Sequence, residues 1–183
     1  MGLKFLKDQR TAVILTVLSV LAITVGNVNY HLDRRAEAAA AAWEERQGAR
    51  VQLKDRCSYA SQLYGLCRSH DELSAQCEAL RRDYNLLYES MEQGDRAAMA
   101  EANAALTVSA RAAGDAFLAL PGVEQGDRDY AERYLSYMDN AARLLQDSRY
   151  NALCADYARL CEEPWLRALS ALIFVDAPLI VGA

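Results

Sequence analysis

The feature that most constrains this chain is a run of 22 residues, 11–32, that contains no Asp, Glu, Lys or Arg. As a helix with a rise of about 1.5 Å per residue it reaches about 33 Å, enough to cross a hydrocarbon core of about 30 Å. Tyr30 and His31 near its end, with charged residues directly after it, suit a membrane interface. We therefore predict that residues 1–32 form a retained membrane anchor.

Two other interpretations of this run are open. A secretory signal would use Lys4, Lys7 and Arg10 as its charged region and be cleaved after Gly26. The run is long for a signal, however, and no A-x-A site precedes that point. A buried helix of a soluble domain would show a polar face, and none is visible. The direction of crossing is also open, because basic residues stand close to both ends of the run.

The remainder of the chain has the composition of a helical protein. Only three prolines and nine glycines interrupt 183 residues, so long helices are expected throughout. Apolar side chains recur at helical spacing, which favours helices that each bury one face against their neighbours. We predict an all-α fold in which the N-terminal transmembrane helix is followed by a long antiparallel four-helix bundle, residues 33–163, and an apolar tail, residues 164–183.

Local signals predict where the first helices begin and end. The anchor helix is expected to continue into the first helix of the bundle, weakened only near Gly48. The sequence Ser-His-Asp-Glu at 69–72 fits a capping box, and Gly94 is expected to end the helix that starts there. The next helix should start near Asp95 and close before Pro121.

Two more helices are predicted at the C-terminal end. One covers residues 128–163 and ends at Pro164, because the residue before a proline is pushed out of the helical region. The other is a short apolar helix over residues 165–175. A second membrane span is not expected, since Arg167 and Asp176 interrupt the tail. Packing of the tail against the bundle is preferred over a position in the headgroup region.

Charge and cysteine content exclude several classes of function. The net charge is −5, and an acidic body does not neutralise phosphates, so no nucleic-acid partner is expected. An odd number of cysteines without CxxC spacing indicates neither a disulfide framework nor a zinc site. We interpret them as small apolar residues in a reducing compartment. They are Cys57, Cys67, Cys77, Cys154 and Cys161.

The sequence gives no basis for catalytic chemistry. Its two histidines stand at the predicted membrane edge, His31, and at a predicted helix start, His70, which does not fit a triad or a His-rich metal site. No Gly-rich phosphate loop, H-E-x-x-H motif or Glu-x-x-His pair is present. We predict no enzymatic activity, no cofactor, no bound metal and no small-molecule substrate.

An apolar stripe marks the last long helix. Its members are spaced i, i+4, i+7 and i+11 and so share one face: Tyr150, Cys154, Tyr157 and Cys161. The two tyrosines are therefore expected to face a neighbouring helix. Asn151 and Asp156 lie off the centre of the stripe, where they could hydrogen-bond across its edge. Together with Trp43 and Trp165, the two tyrosines and these two polar residues form the candidate packing or partner surface.

The same residues resemble motifs of the LemA family of bacterial membrane-anchored helical proteins. In that family the final helix carries Tyr-Asn and Asp-Tyr pairs, followed by a proline and a short apolar end. The matching residues here are Tyr150, Asn151, Asp156, Tyr157, Pro164 and the Ala-Leu-Ile-Phe sequence at 171–174. Ala42 and Trp43, followed by Val-Gln-Leu-Lys-Asp-Arg at 51–56, resemble a second family motif, and Pro121 resembles the proline before the family's last helix.

The chain departs from the family pattern at several positions. Three extra residues separate Trp43 from Val51, and Asp55 stands where the family has a basic residue. Ala158 replaces the second Asn of an Asp-Tyr-Asn pattern. The resemblance is therefore to a divergent member of the family.

The resemblance implies a non-enzymatic scaffold or adaptor without a cofactor. It implies a single-pass anchor in a bacterial cell membrane, with the helical body in the cytoplasm. The expected partners are the lipid bilayer and either membrane proteins or further copies of this chain. The alternative is an external helical bundle that senses a ligand, because a bundle continuous with a membrane helix can transmit a ligand-induced shift.

Overall fold

The computed structural model describes residues 9–175 and 177–181, so the predicted charges at Lys4, Lys7 and Asp176 lie outside the described part of the chain. Within that part the protein is all-helical, as predicted, and contains no strand. Its α-helices are α1 Gln9–Trp43, α2 Ala49–Cys67, α3 Ser74–Gln93, α4 Arg96–Ala119, α5 Gln125–Gln146, α6 Arg149–Cys161 and α7 Pro164–Ala168. Two short 3-10 helices cover Asp71–Leu73 and Ser170–Leu172.

Helix α1 has an exposed apolar first half and a second half that buries one face. Residues 13–24 are exposed, although they are almost entirely apolar. Leu32, Ala39 and Trp43 are buried, and this second half packs on α6. The stretch Thr11–Trp43 is long and apolar enough to cross a membrane, a property that it shares with signal sequences near an N-terminus.

The connection from α1 to α2 is a tight turn and not the continuous helix that the sequence predicts. Helix α1 ends at Trp43, and residues 44–48 form a turn before α2. A Cβ atom on Gly48 would lie 2.6 Å from the carbonyl oxygens of Ala42 and Trp43 and 2.9 Å from that of Glu45. The backbone therefore approaches itself more closely here than any side chain allows, which only glycine permits.

Replacing Gly48 by alanine is expected to lower the free energy of unfolding by about 1–3 kcal/mol. Backbone carbonyls can make room for the added methyl group only if the end of α1 shifts. Gly65→Ala is the matched control, since nothing lies within 4 Å of its added Cβ in the last turn of α2, and it should stabilise the protein by about 0.5–1 kcal/mol. Denaturation followed by circular dichroism measures both. A Gly48→Ala protein as stable as the wild type would contradict the tight-turn explanation.

Helices α2 to α5 share one apolar core. Helix α2 packs against α3, α4 and α5, while α3 packs against α4 and α4 against α5. Fully buried side chains of these helices include Leu53, Leu63, Leu80, Leu87, Leu106, Phe117 and Leu145. Each contributes roughly 1.5–3 kcal/mol relative to an exposed position. Trp43 of α1 and Tyr150 of α6 belong to the same core cluster, so the α1–α6 pair is joined to the other helices.

Helix ends agree with the sequence signals at one junction and differ at another. Gly94 ends α3 in the left-handed conformation, with φ 73°, and the Asp95 carboxylate caps α4 by accepting from Ala97 N and Ala98 N. The capping box predicted at 69–72 is wrong. The Ser69 hydroxyl donates to the Leu66 carbonyl instead, because this acceptor in the last turn of α2 lies within reach. A 3-10 turn then leads into α3.

The helix predicted over residues 128–163 is divided into α5 and α6. The break lies at Ser148, whose backbone is extended and whose Oγ accepts from Asn151 N at 3.2 Å. A serine can satisfy free backbone donors in this way, which competes with continued helix formation. The Asn151 side chain also donates to the Leu145 carbonyl at 2.8 Å and so ties the two helices together across the break.

The apolar helix predicted over residues 165–175 is also wrong. Helix α7 has only five residues, and after the second 3-10 turn the described tail is not helical. Side chains elsewhere in the chain bind the tail backbone in place of helical hydrogen bonds. Asn29 of α1, for example, donates to Leu172 O at 3.0 Å and accepts from Phe174 N at 2.9 Å.

Candidate functional site

An aromatic and cationic cluster joins three helices near the end of α1. The rings of Trp43 on α1 and Tyr150 on α6 meet edge to face, with centroids 5.0 Å apart. The Arg96 guanidinium, at the start of α4, lies 3.5 Å from the Trp43 ring centroid and 5.8 Å from that of Tyr150. A half-buried cation over an indole ring is attracted by about 1–2 kcal/mol. The cluster therefore fixes the position of α1 and α6 on the remaining helices.

Polar side chains of α6 hold the C-terminal tail. The Tyr150 hydroxyl donates to Leu179 O at 2.7 Å, and Asn151 Oδ1 accepts from Val181 N at 3.2 Å. Tyr157 lies two turns further along α6, and its hydroxyl is 3.5 Å from the Val175 carbonyl oxygen. Val181 itself is fully buried. The tail is thus packed on the protein along the same face that the sequence marks as the apolar stripe.

Four of the six predicted site residues are buried together, and two are not. Trp43, Tyr150, Asn151 and Tyr157 are at most 5% exposed. Asp156 is exposed and accepts from Arg159 of its own helix, so it makes no bond across the edge of the stripe. Trp165 is 49% exposed. The predicted surface is therefore mainly a packing surface, from which Asp156 and Trp165 point away.

Two residues with central positions were missed by sequence reasoning. Arg96 occupies the first turn of α4, where a positive charge is unfavourable beside the helix dipole, and this local conflict is a signal of a tertiary role. Asn29 is a polar residue inside the charge-free run, and polar residues in such segments usually have specific partners. Neither signal identifies the partner, because the contacts join distant parts of the chain.

Burial favours the protonated form of several tyrosine and cysteine side chains. Burial raises the pKa of Tyr150 and of Cys154, and the nearby Arg96 cation opposes both shifts. Burial also raises the pKa of Cys57 and of Cys67 to about 12. At neutral pH these groups are therefore protonated and serve as hydrogen-bond donors or as small apolar side chains. The nucleophilic form of cysteine is the thiolate, which burial disfavours here. The arrangement can therefore hold chain segments together by hydrogen bonds and packing.

A groove of about 410 Å³ lies where the exposed first half of α1 meets its second half. Apolar side chains of α1, α6 and α7 line it, together with the polar or aromatic residues His31, Arg35 and Trp165. Phe174, held nearby through its backbone bond to Asn29, is 82% exposed. The apolar end of the described tail is therefore tied to α1 at the last part of the charge-free run.

Within residues 9–175 and 177–181, no group of three or more His, Cys, Asp or Glu side chains is placed to hold a metal ion.

No protein-family model, no curated protein sequence and no solved structure matches this chain.

Proposed function

We propose that this chain is a non-enzymatic, membrane-anchored scaffold or adaptor of the LemA type. Its anchor is the exposed apolar half of α1, and α2 to α5 form its antiparallel four-helix bundle. The observation that carries the proposal is that α1 is one unbroken helix of 35 residues. Its first half is exposed and apolar, whereas its second half buries one face against α6.

The attachment of α1 gives such a scaffold a fixed orientation on the bilayer. Trp43 is held between Tyr150 and Arg96, and Asn29 is bound to the tail. A helix fixed at two places about 14 residues apart, or roughly 21 Å along its axis, cannot pivot freely on the body. The body is therefore presented to partners in one direction relative to the membrane.

Surfaces for partners are available on the body. Apolar side chains that are at least 43% exposed outside α1 and the tail are Leu86, Tyr88, Val108, Tyr130, Tyr137 and Leu144. Tyrosine is enriched at interfaces because its ring is apolar and its hydroxyl remains polar. We propose membrane proteins or further copies of the chain as the partners. The protonated, buried thiols support a role without covalent catalysis.

The side of the membrane on which the body lies can be tested with an added cysteine at Glu92. This residue is exposed near the end of α3, so Glu92→Cys should react readily with a maleimide. The proposal places the body in the cytoplasm of a bacterial cell. We therefore expect a membrane-impermeant maleimide to label Glu92→Cys only after the cells are permeabilised. Mass spectrometry of the labelled chain, recovered from the membrane fraction, gives the extent of labelling.

The wild-type chain is the control for this labelling. Four of its five cysteines are buried and only Cys161 is half-buried, so its background should be low. Mass spectrometry also reports whether residues 1–26 are retained, which separates an anchor from a cleaved signal. Labelling of Glu92→Cys in intact cells would place the body outside, overturn the cytoplasmic scaffold, and favour an external ligand-sensing bundle.

A further inference from the structure

A polar cavity of about 300 Å³ lies between α2, α4 and α5, away from the aromatic cluster. Two buried side-chain atoms of the described residues have no hydrogen-bond partner in the protein, and these are Arg56 Nε and Asn103 Oδ1. Both residues line this one cavity. Buried polar groups in native proteins are nearly always paired. The coincidence of both exceptions in one cavity indicates a place for a ligand.

Arg56 is a buried cation without a carboxylate partner. Its side chain comes from the middle of α2 and is only 2% exposed. One guanidinium nitrogen donates to Thr107 Oγ1 at 2.6 Å, but the guanidinium forms no ion pair with any described acidic residue. Burial lowers the pKa of Arg56, opposed mainly by Asp139, yet arginine stays charged in proteins. A buried charge of this kind requires a counter-ion.

Asp139, the carboxylate that acts on the pKa of Arg56, already has another partner. Asp139 accepts two bonds from Arg111, with distances of 3.0 Å and 2.9 Å to its two oxygens. This pair is exposed to solvent and lines the cavity together with Arg143. Of the charged side chains lining the cavity, three are therefore cations and one is an anion. The excess positive charge favours an anionic ligand.

Asn103 restricts the kind of anion. Its side chain is 3% exposed, and its amide nitrogen donates to Val181 O at 3.3 Å. Because Nδ2 faces a carbonyl, the free Oδ1 is an acceptor and needs a donor from the ligand. A ligand that satisfies both orphaned atoms must present negatively charged oxygen to Arg56 and a hydroxyl to Asn103.

We propose that this cavity binds inorganic phosphate. At neutral pH inorganic phosphate carries at least one P–OH group, which donates to Asn103 Oδ1, while another of its oxygens accepts from Arg56 Nε. Arg143 at the cavity lining adds a second positive charge. Planar guanidinium groups suit phosphate oxygens in geometry as well as in charge. The proposal is independent of the scaffold function and of the side of the membrane.

A free phosphate fits this cavity better than a phospholipid headgroup does. Of the described residues that line it, Ala142 alone is apolar, so no surface is present beside the phosphate for an acyl chain. The apolar groove at α1 is a different site and is lined by different residues. The ligand is therefore expected to come from solution.

Isothermal titration calorimetry on the full chain in detergent micelles tests the proposal with sodium phosphate, at pH 7 and constant ionic strength. We expect saturable binding of one phosphate per chain. Sulfate is the matched probe, because it has the same tetrahedral shape as phosphate and the charge of the HPO₄²⁻ form, but no hydrogen at this pH. It should bind at least tenfold more weakly, since it leaves Asn103 Oδ1 unpaired.

Two variants test the residues. Arg56→Met keeps much of the buried volume and should weaken phosphate binding at least tenfold. Asn103→Leu should weaken phosphate binding while leaving sulfate binding unchanged. Arg159→Gln is the control outside the cavity, where the side chain is 81% exposed, and it should bind phosphate like the wild type.

The wild-type measurements keep the test valid even if a variant does not fold. Absence of saturable phosphate binding to the wild-type chain overturns the proposal, since Arg56 would then be solvated by Thr107 and water alone. Equal affinity for phosphate and sulfate also overturns it, because the hydroxyl contact to Asn103 would not exist. Phosphatidic acid micelles that compete with phosphate at this site would overturn the assignment to a solution ligand.

Discussion

Replacing both Leu18 and Leu21 by arginine is expected to release the chain from the membrane. The two side chains lie near the middle of the charge-free run and are 55% and 42% exposed, with no protein around them to bury a charge. On insertion scales each arginine costs about 2.5–3.5 kcal/mol at the centre of a helix, and the lost leucine adds a few tenths. The pair should therefore oppose insertion by about 6–8 kcal/mol. Extraction of membranes with alkaline carbonate measures the released fraction.

The matched control places the same two charges on the body. Leu86 and Leu144 are 47% and 45% exposed, so Leu86→Arg with Leu144→Arg changes the charge of the chain by the same amount. This variant should stay in the membrane fraction. If the Leu18 and Leu21 variant is retained there as firmly as the control, α1 does not cross the bilayer and the proposed anchor is wrong.

The substitution Tyr150→Ala is expected to lower the free energy of unfolding by about 3–5 kcal/mol. It removes a side chain that is 2% exposed and leaves a cavity beside Trp43, and large aromatic truncations in cores have costs in this range. The hydrogen bond to Leu179 O and the edge-to-face contact with Trp43 are lost with the ring. Chemical denaturation of the chain in detergent, followed by tryptophan fluorescence, measures the change.

Tyr150→Phe separates the hydroxyl from the ring. It keeps the packing on Trp43 but removes the donor to the tail, so it should cost about 0.5–1.5 kcal/mol. Tyr88→Ala is the surface control, because Tyr88 is 52% exposed, and its effect should stay within about 0.5 kcal/mol. Equal stability of Tyr150→Ala and Tyr88→Ala would mean that the aromatic cluster does not hold α1 and α6 on the body.

The two proposals place different demands on the protein. The scaffold needs the Trp43, Tyr150 and Arg96 cluster intact, because this cluster sets the orientation of the body on the anchor. The phosphate site depends on Arg56 and Asn103 in a separate cavity. Arg56 variants are therefore expected to leave the aromatic cluster unchanged, since effects of distant residues without shared partners usually add independently.

A link between the two regions exists in the described tail. Val181 receives a bond from Asn103 and donates one to Asn151 of α6. Asn103, which contacts the proposed phosphate, is therefore hydrogen-bonded to the tail segment that packs on α6. If the body lies on the outer side of the membrane, as in the ligand-sensing alternative, a bound anion could act on the α1–α6 pair through these two hydrogen bonds.

The sequence by itself determined the features that depend on short stretches. The charge-free run predicted the exposed apolar half of α1, Gly94 and Asp95 predicted a helix end and a helix start, and the stripe on α6 predicted the buried face of Tyr150 and Tyr157. These features follow from hydropathy, helical periodicity and backbone capping. Each of them acts within a few turns of helix, so each can be predicted from neighbouring residues.

Only the tertiary structure decided the end of α1, the break at Ser148, and the tail. At the first two places a tight turn at Gly48 and a side-chain cap from Ser148 end a helix that periodicity alone would continue. In the tail, long-range contacts replace helical hydrogen bonds. Asn29 binds Leu172 and Phe174 across more than 140 residues, and Arg56 and Asn103 meet only after α2 and α4 pack. Such contacts join side chains that are far apart in the sequence, whereas helix formation depends on residues that are close together in the sequence. For that reason Trp43, Tyr150 and Tyr157 could be predicted as a packing surface, whereas Arg96 and the cavity at Arg56 and Asn103 could not.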